Sequence, residues 1–509
     1  MSASTTPGLD PQSTTNPRTL TSTKIIVLIV AALTPLSVVV GTLPLGLAFG
    51  GPSTALMFVA SGLIIGLFCV GYVQMVRRIT RPGAFFNYIA RGLGRPAGVG
   101  AAMIAVITYC IGLIAVYAVQ AFVTQEILAG FGLAVPWQAC FLVQLLLVTV
   151  LAYRKIDLSA RVTFVIVALE LLVLLALVTA IVAQKGPAAF PLDAISPSVM
   201  GIGQWTVAFV FAILCYQGFE AGALYAPEAK DPERTVPRAL YGALIVLTAS
   251  FAIVAWVLTG VTGVDGLQET VGADPAGFIF TTMGTYLGDA GVWALSVLAL
   301  LAQLACTLAY TNFTSRYLNS LANEELLPAF LGRKNRHHSP GSAIVALTVL
   351  VIVAVLGLSA LGVDPYTEIS PVGFGLGALG ATTLQALASA AVVGFFLRQP
   401  AAERHWWKTT LAPIAATVLL AAALYIELIS FSFITGKDTP EMLAVPWAIP
   451  LTAVLGIAFG FWLRKNRPRI YLSLAAGDTA EEAAEIQRQR NLLRSGSAGE
   501  EVPELAGEK

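Results

Sequence analysis

Long apolar runs recur along almost the whole chain and constrain its fold more than any other feature. About 20 consecutive apolar residues cross the hydrocarbon core of a bilayer as one helix. A soluble domain carries about 25% charged residues, whereas this chain of 509 residues carries 12%. The sequence therefore predicts an all-α, polytopic membrane protein.

Twelve of these runs are predicted to be transmembrane spans. The fourth is short, and Gly or Pro residues interrupt the first and the sixth. The predicted spans lie at about residues 25–48, 53–76, 97–128, 137–153, 159–184, 200–226, 236–262, 290–322, 342–363, 366–397, 407–430 and 445–464.

The positions of the basic residues support this count. Cytoplasmic loops are enriched in Lys and Arg. With the N-terminus inside, all of the 30 Lys and Arg residues except Lys185 and Lys437 fall on the inner side. A missing or additional span would reverse every later loop. We therefore expect both termini to be cytoplasmic and the protein to lie in the plasma (inner) membrane, in contact with membrane lipids.

Residue types that carry metal, redox or nucleic-acid chemistry show no pattern in this sequence. The five cysteines lie one by one within apolar runs, and the three histidines fall in loops, without metal-ligand spacing. We expect no metal, no cofactor, no nucleic acid partner and no enzymatic activity.

Two interrupted spans occupy matching positions. The first contains "TPLSVVVGTLPLGLAFGG", residues 34–51, and the sixth contains "CYQGFEAG", residues 215–222. They are five spans apart, and because five is odd, two five-span repeats have opposite orientations. Inverted repeats with a discontinuous helix at the same place in each half are typical of secondary transporters and indicate the substrate site.

The breaks suggest how a substrate is held. Unwound backbone persists in a membrane only where it is buried in protein or lines a cavity, and a helix N-terminus attracts a carboxylate. The N–H groups around Val40–Gly46, which include Gly41 and Thr42, are predicted to receive a substrate carboxylate. The alternative is close helix packing, because Gly is frequent in transmembrane helices for that reason.

Several motifs resemble those of the amino acid–polyamine–organocation permeases. They are "TPLSVVVGTLPLG" in span one, "RRITRPGAFFNYIARGLGRPAG" after span two, "YQGFEAGALYAPEAKDPERTVPRAL" in and after span six, and "NFTSRYLNSLANEELLPAFLGR" at the end of span eight. The resemblance covers about residues 24–400. It implies the leucine-transporter fold, with a 5+5 inverted repeat, discontinuous helices 1 and 6, and two extra helices. It also implies transport of amino acids or related amines by proton symport or by exchange.

This organisation divides the chain into five parts. We expect a disordered cytoplasmic tail at residues 1–23, repeats at 24–195 and 196–400, spans eleven and twelve at 401–466, and a cytoplasmic tail at 467–509. The segment "AEEAAEIQRQRNLLR" in the last part is predicted to be a solvated helix.

Glu220 follows the break in span six, and the resemblance implies a role in proton-dependent gating. We expect it to bind a substrate amine or the coupling proton, the alternative being a cap on freed N–H groups. Gly218, Phe219, Gly46 and Tyr109 are predicted to line the same pocket, although packing also explains the aromatic residues.

Glu170 is the least expected acid, because some relatives carry a Lys at the matching place in span five. We interpret it as a proton site or cation ligand, the alternative being a neutral carboxyl group bonded to a neighbouring helix. Thr307 and Thr311 in span eight match hydroxyl ligands of sodium-coupled relatives, although such hydroxyls commonly bond to their own helix. Glu126 and Glu427 lie near outer ends, where water is accessible, and are predicted to be structural.

These observations favour a proton-coupled amino acid permease that works by alternating access. Its partners would be a small amino acid or amine and a proton or sodium ion. An amine or polyamine carrier, an exchanger and a non-transporting sensor remain alternatives. A sugar carrier with six-plus-six symmetry is disfavoured by the five-span separation of the breaks.

Overall fold

The computed structural model describes residues 20–79, 84–154, 160–196, 202–220, 222, 225, 229–337, 339–435 and 439–474. Throughout these ranges the regular structure is helical, and the only β-type pairing is an isolated bridge between Leu20 and Ala229. The all-α prediction is thus confirmed. Predictions for residues 1–19, for the charged segment 480–494 and for Lys437 lie outside the described residues.

The helices follow one another along the chain. In chain order they are α1 (Ser22–Leu33), α2 (Pro35–Ser37), α3 (Leu43–Gly50), α4 (Thr54–Arg78), α5 (Ala84–Leu93), α6 (Arg95–Gly130), α7 (Trp137–Tyr153), α8 (Ala160–Lys185), α9 (Ile202–Leu214), α10 (Pro232–Thr262), α11 (Leu267–Ala273), α12 (Phe278–Asn323), α13 (Gly341–Ala360), α14 (Ser370–Leu397), α15 (Ala412–Ile429), α16 (Phe431–Thr435), α17 (Pro440–Ala444), α18 (Ala448–Asn466) and α19 (Pro468–Ser473).

Nine helical stretches within the described residues are long and apolar enough to cross a membrane. The first, Ser22–Arg78, contains the first two predicted spans. Two further apolar helices, Trp137–Tyr153 and Gln204–Leu214, are shorter and coincide with predicted spans four and six. Each predicted span therefore has a helical counterpart, and the chain is a multi-pass membrane protein.

The first interrupted helix breaks earlier than the sequence predicts. Helix α1 ends at Leu33, and Thr34 adopts a left-handed conformation with φ of 35°. Pro35 then begins α2, because proline has no N–H group to continue α1 and its ring clashes with the preceding turn. The stretch around Val40–Gly46 is itself helical, as a π-helix at Val38–Thr42 followed by α3.

The second interrupted helix breaks where the sequence predicts. Helix α9 ends at Leu214, and the following residues form turns, with a hydrogen bond from the Phe219 N–H group to the Tyr216 carbonyl (3.2 Å). Gly218 has φ of 93°, a conformation that glycine adopts without steric strain.

Helix α12 is longer than predicted span eight. It begins at Phe278 rather than near residue 290, and Gly288, with φ of 66°, divides it into two parts. The second part agrees with the prediction. Gly288, in its left-handed conformation, changes the direction of the chain before the long apolar part of α12 begins.

Helix α6 is the central helix of the fold. It packs against α5, α7, α12, α14 and α18. On the other side, α3 packs against α9 and α1 packs against α10. The two interrupted helices thus contact each other, and α6 and α12 lie beside them.

Candidate functional site

A cavity of about 100 Å³ lies between the two interrupted helices. The first helix contributes the residues on both sides of its break, and the second contributes the residues where α9 ends. These are Ala32, Leu33, Thr34, Ser37, Val38, Gly41 and Thr42 from the first, and Leu214, Cys215 and Gln217 from the second. Residues at both breaks therefore line one cavity.

The remaining walls come from neighbouring helices. Helix α6 contributes Val116, Val119, Gln120 and Val123, helix α12 contributes Gln303, Cys306 and Tyr310, and α14 contributes Phe374. Among the described residues that line this cavity, none carries a charge. Its polar groups are amides, hydroxyls and thiols.

The predicted substrate-binding residues divide into two groups. Gly41 and Thr42 line the cavity. The others do not lie among its lining residues. Gly46 packs instead against Phe211, and a Cβ atom added at Gly46 would lie 3.3 Å from the Phe211 Cβ atom. This second group consists of Val40, Gly46, Tyr109, Gly218, Phe219 and Glu220.

Glu220 links the break in the second interrupted helix to the helices around it. Its carboxyl group accepts a hydrogen bond from the Tyr109 hydroxyl of α6 (2.9 Å). The Tyr72 hydroxyl of α4 donates to its main-chain carbonyl (3.4 Å). The side chain is fully buried, and its second carboxyl oxygen has no hydrogen-bond partner among the described residues.

Glu170 lies at the break in the first interrupted helix. Its carboxyl group accepts a hydrogen bond from the Leu36 N–H group (3.5 Å), one of the N–H groups that the start of a helix leaves unpaired. Leu36 stands between Thr34 and Ser37, which both line the cavity. Glu170 is fully buried, and its other oxygen is unpartnered within the described part of the chain.

Thr307 belongs to a polar cluster between α6, α7 and α12. Its hydroxyl lies at hydrogen-bond distance from the Gln120 side-chain oxygen and from the main-chain carbonyl of Gln303 (2.7 Å). The Gln144 amide of α7 donates to the same Gln120 oxygen (2.7 Å) and to Thr307 (3.1 Å). Thr307 thus bonds to its own helix, which was the alternative to ion binding.

Thr311 is buried one helical turn further along α12 and does not line the cavity. Across the described residues, no hydrogen bond joins Thr307 or Thr311 to Glu170.

Sequence reasoning missed the glutamine residues of the cavity. Gln120 and Gln303 are almost fully buried, at 4% and 3% exposure, and Gln217 lies in the turns that follow α9. The available signal was the presence of uncharged polar residues inside apolar spans, because such residues mark substrate paths as ionisable ones do.

The outer acids have different environments. Glu126 is exposed, and its side chain accepts a hydrogen bond from Gln125 (3.2 Å), in agreement with the prediction. Glu427 is only 1% exposed and accepts a hydrogen bond from the Thr382 hydroxyl (2.7 Å). The predicted access of Glu427 to water is therefore wrong.

The profile of the amino acid permease family matches residues 24–471. The branched-chain amino acid permease BcaP of Lactococcus lactis is 24% identical over 325 residues, which cover 60% of this chain and 68% of that protein. The methylthioribose transporter of Bacillus subtilis is 24% identical over 327 residues, or 61% of this chain and 68% of the relative.

The L-asparagine permease of Escherichia coli is also similar, with 24% identity over 290 residues that cover 55% of this chain and 53% of the relative. The family match spans nearly the whole chain and includes both interrupted helices and every wall of the cavity. The chain therefore belongs to the amino acid permease family, within the amino acid–polyamine–organocation superfamily.

Proposed function

We propose that this permease is a secondary active transporter that carries amino acids across the plasma (inner) membrane by alternating access, in symport with protons. The observation that carries the proposal is the cavity of about 100 Å³ lined by both interrupted helices. In transporters of this architecture, substrates bind between such helices. The relatives named as amino acid permeases support the same substrate class.

The proposed topology has twelve spans in a 5+5 inverted repeat plus two further helices, with both termini in the cytoplasm. The helical counterparts of all twelve predicted spans support it. So does the distribution of Lys and Arg, because in this topology nearly all positive charges would lie on the cytoplasmic side.

Transport would proceed by movement of one group of helices against another. The moving group would contain α1–α3 and α9, which pack together through α3 and α9. The fixed group would contain α6, α7, α12 and α13. Because the cavity lies between these groups, their relative rotation would open it to one side of the membrane at a time.

Glu170 is the proposed coupling residue. Its carboxyl group contacts the backbone at the break, and no ion pair involves it within the described residues. A buried carboxyl group changes its own charge only by exchanging a proton, whereas a bound cation offsets the charge of the carboxylate. Either event would alter the interaction with Leu36 and hence the helix segment that lines the cavity.

Glu220 is proposed as a second proton-binding residue. It contacts Tyr109 rather than the cavity, which favours a proton over direct contact with a substrate amine. Loss of its charge would change the bond between the break after α9 and helix α6, and thus the contact between the moving and fixed groups.

Uptake by the full chain in proteoliposomes tests this proposal. We expect saturable uptake of a labelled neutral amino acid that increases with an inward proton gradient and does not require sodium. The variant Glu170→Gln is expected to lose the response to the proton gradient, whereas the matched exposed control Glu126→Gln retains it. Uptake that depends on sodium, exchange alone, or no amino acid uptake would contradict the proposal.

A further inference from the structure

We infer that the cavity is specific for small amino acids with an uncharged, hydrogen-bonding side chain, and that Gln120 and Gln303 recognise that side chain. The inference rests on the proposed transport function and adds the substrate class. The evidence for the substrate class is the arrangement of side-chain amide groups around the cavity. The transport function, in contrast, is proposed from the two helix breaks.

The two glutamines present hydrogen-bond donors. The Gln120 side-chain oxygen is already engaged by the amide of Gln144 and by Thr307. The Gln303 side-chain oxygen accepts a hydrogen bond from the Thr124 hydroxyl (3.2 Å). Because a primary amide also carries an NH₂ group with two N–H donors, each glutamine can still donate a hydrogen bond to a ligand.

A third amide is arranged differently. The Gln217 NH₂ group lies 3.5 Å from the Tyr310 hydroxyl, to which it donates. No described residue donates to its side-chain oxygen, so that oxygen can accept a hydrogen bond from a ligand. The cavity thus contains donors on α6 and α12 and an acceptor after α9, a set that matches a hydroxyl or carboxamide side chain.

Electrostatics excludes charged side chains from the favoured substrates. No charged residue of the described chain lines the cavity, and a buried charge without a partner is strongly unfavourable. Aliphatic side chains fit no better, because they would leave the amide donors of Gln120 and Gln303 without partners. A site built to form hydrogen bonds rejects analogues that lack them.

Size favours the same amino acids. The cavity of about 100 Å³ has room for several water-sized groups, so a short polar side chain fits it more readily than an aromatic one.

The test uses pairs of amino acids with matched shape. L-threonine and L-valine differ mainly in a hydroxyl group, and L-asparagine and L-leucine differ mainly in a carboxamide. We expect the purified wild-type permease in proteoliposomes to transport the polar member of each pair with kcat/KM about tenfold to a hundredfold higher. Equal efficiency for the two members would overturn the inference while leaving amino acid transport intact.

Variants locate the effect. Gln303→Met keeps the length of the side chain and removes the amide, so the preference for threonine over valine is expected to fall at least severalfold. Gln138→Met is the matched control, because Gln138 lies on α7 beside Ser359, outside the cavity. The preference of this variant for threonine over valine should equal that of the wild type.

Two results would contradict the role of the amides. A Gln303→Met variant that weakens valine and threonine uptake equally would mean that the amide binds the common carboxylate and not the side chain. Absence of uptake of every amino acid by the wild type would overturn the transport function and this inference with it. If the Gln303→Met variant does not fold, the comparison of the amino acid pairs with the wild-type protein still tests the inference.

Discussion

The contact between α3 and α9 provides a quantitative test of the packing of the two interrupted helices. Gly50 lies against the backbone of Ala208. A Cβ atom at Gly50 would lie 2.5 Å from the Ala208 Cα atom and 2.6 Å from its nitrogen, whereas ordinary contacts are 3.4–4 Å. In the variant Gly50→Ala the helices would therefore have to separate by about 1 Å at this point.

The expected loss of stability follows from this overlap. Insertion of a methyl group into a packed interior destabilises by about 1–3 kcal/mol. The higher helix propensity of alanine offsets at most about 1 kcal/mol. We therefore expect the free energy of unfolding to fall by about 1–2 kcal/mol. We also expect uptake to fall, because the same two helices bound the cavity.

Thermal unfolding in detergent and uptake in proteoliposomes measure the two effects. The matched control is Gly357→Ala in α13, where no atom lies within 4 Å of the added methyl group. That control should unfold at or slightly above the wild-type temperature and transport normally. Equal stability and uptake for Gly50→Ala and Gly357→Ala would refute the close contact of α3 with α9.

Three further predictions concern the buried carboxyl groups. The variant Glu170→Gln keeps an oxygen that accepts from Leu36 but cannot exchange a proton, so amino acid counterflow is expected to persist while stimulation by a proton gradient disappears. Removal of the Tyr109 hydroxyl in Tyr109→Phe eliminates its bond to Glu220 and is expected to lower the free energy of unfolding by about 1–2 kcal/mol, as measured by thermal unfolding. Glu427→Gln preserves the acceptor for Thr382, so proton-stimulated uptake should match that of the wild type; a loss equal to that of Glu170→Gln would contradict the separate roles.

The sequence predicted the helical architecture well because the evidence for it is local. Each span needs a long apolar run, and such a run can be read without knowledge of its neighbours. The break after α9 was also predictable, since Gly218 occupies a conformation that favours glycine.

The break in the first helix was harder to place because the segment offers several helix-breaking residues. Pro35 ends α1, whereas Pro44 lies in the first turn of α3, where the missing N–H group is tolerated. Gly41 lies within the π-helix and stays helical. Packing of the whole segment against its neighbours decides among these residues, and that information is not local.

The environment of Glu427 was mispredicted for a similar reason. Its place near the end of an apolar run suggested access to water. In the structure, α16 follows directly and packs against α14, and Phe431 is only 2% exposed. This arrangement covers the end of α15.

The glutamine cluster depends on contacts between residues far apart in the sequence. Gln120, Gln144 and Thr307 come from three helices, and nothing in the sequence around any one of them indicates the others. The sequence alone predicted that Gly41 and Thr42 belong to the site. The amide groups of the opposite wall could be identified only from the three-dimensional structure.

The most direct test of the central claim, that a transported amino acid occupies the cavity between the breaks, uses the cysteines. Cys306 lines the cavity, whereas Cys110 lies on α6 outside it and is partly buried to a similar degree. Each would be retained as the only cysteine and treated with methyl methanethiosulfonate, with and without the transported amino acid. The account predicts that the amino acid slows modification of Cys306 and leaves Cys110 unaffected. Modification of Cys306 at the same rate with saturating amino acid would contradict it.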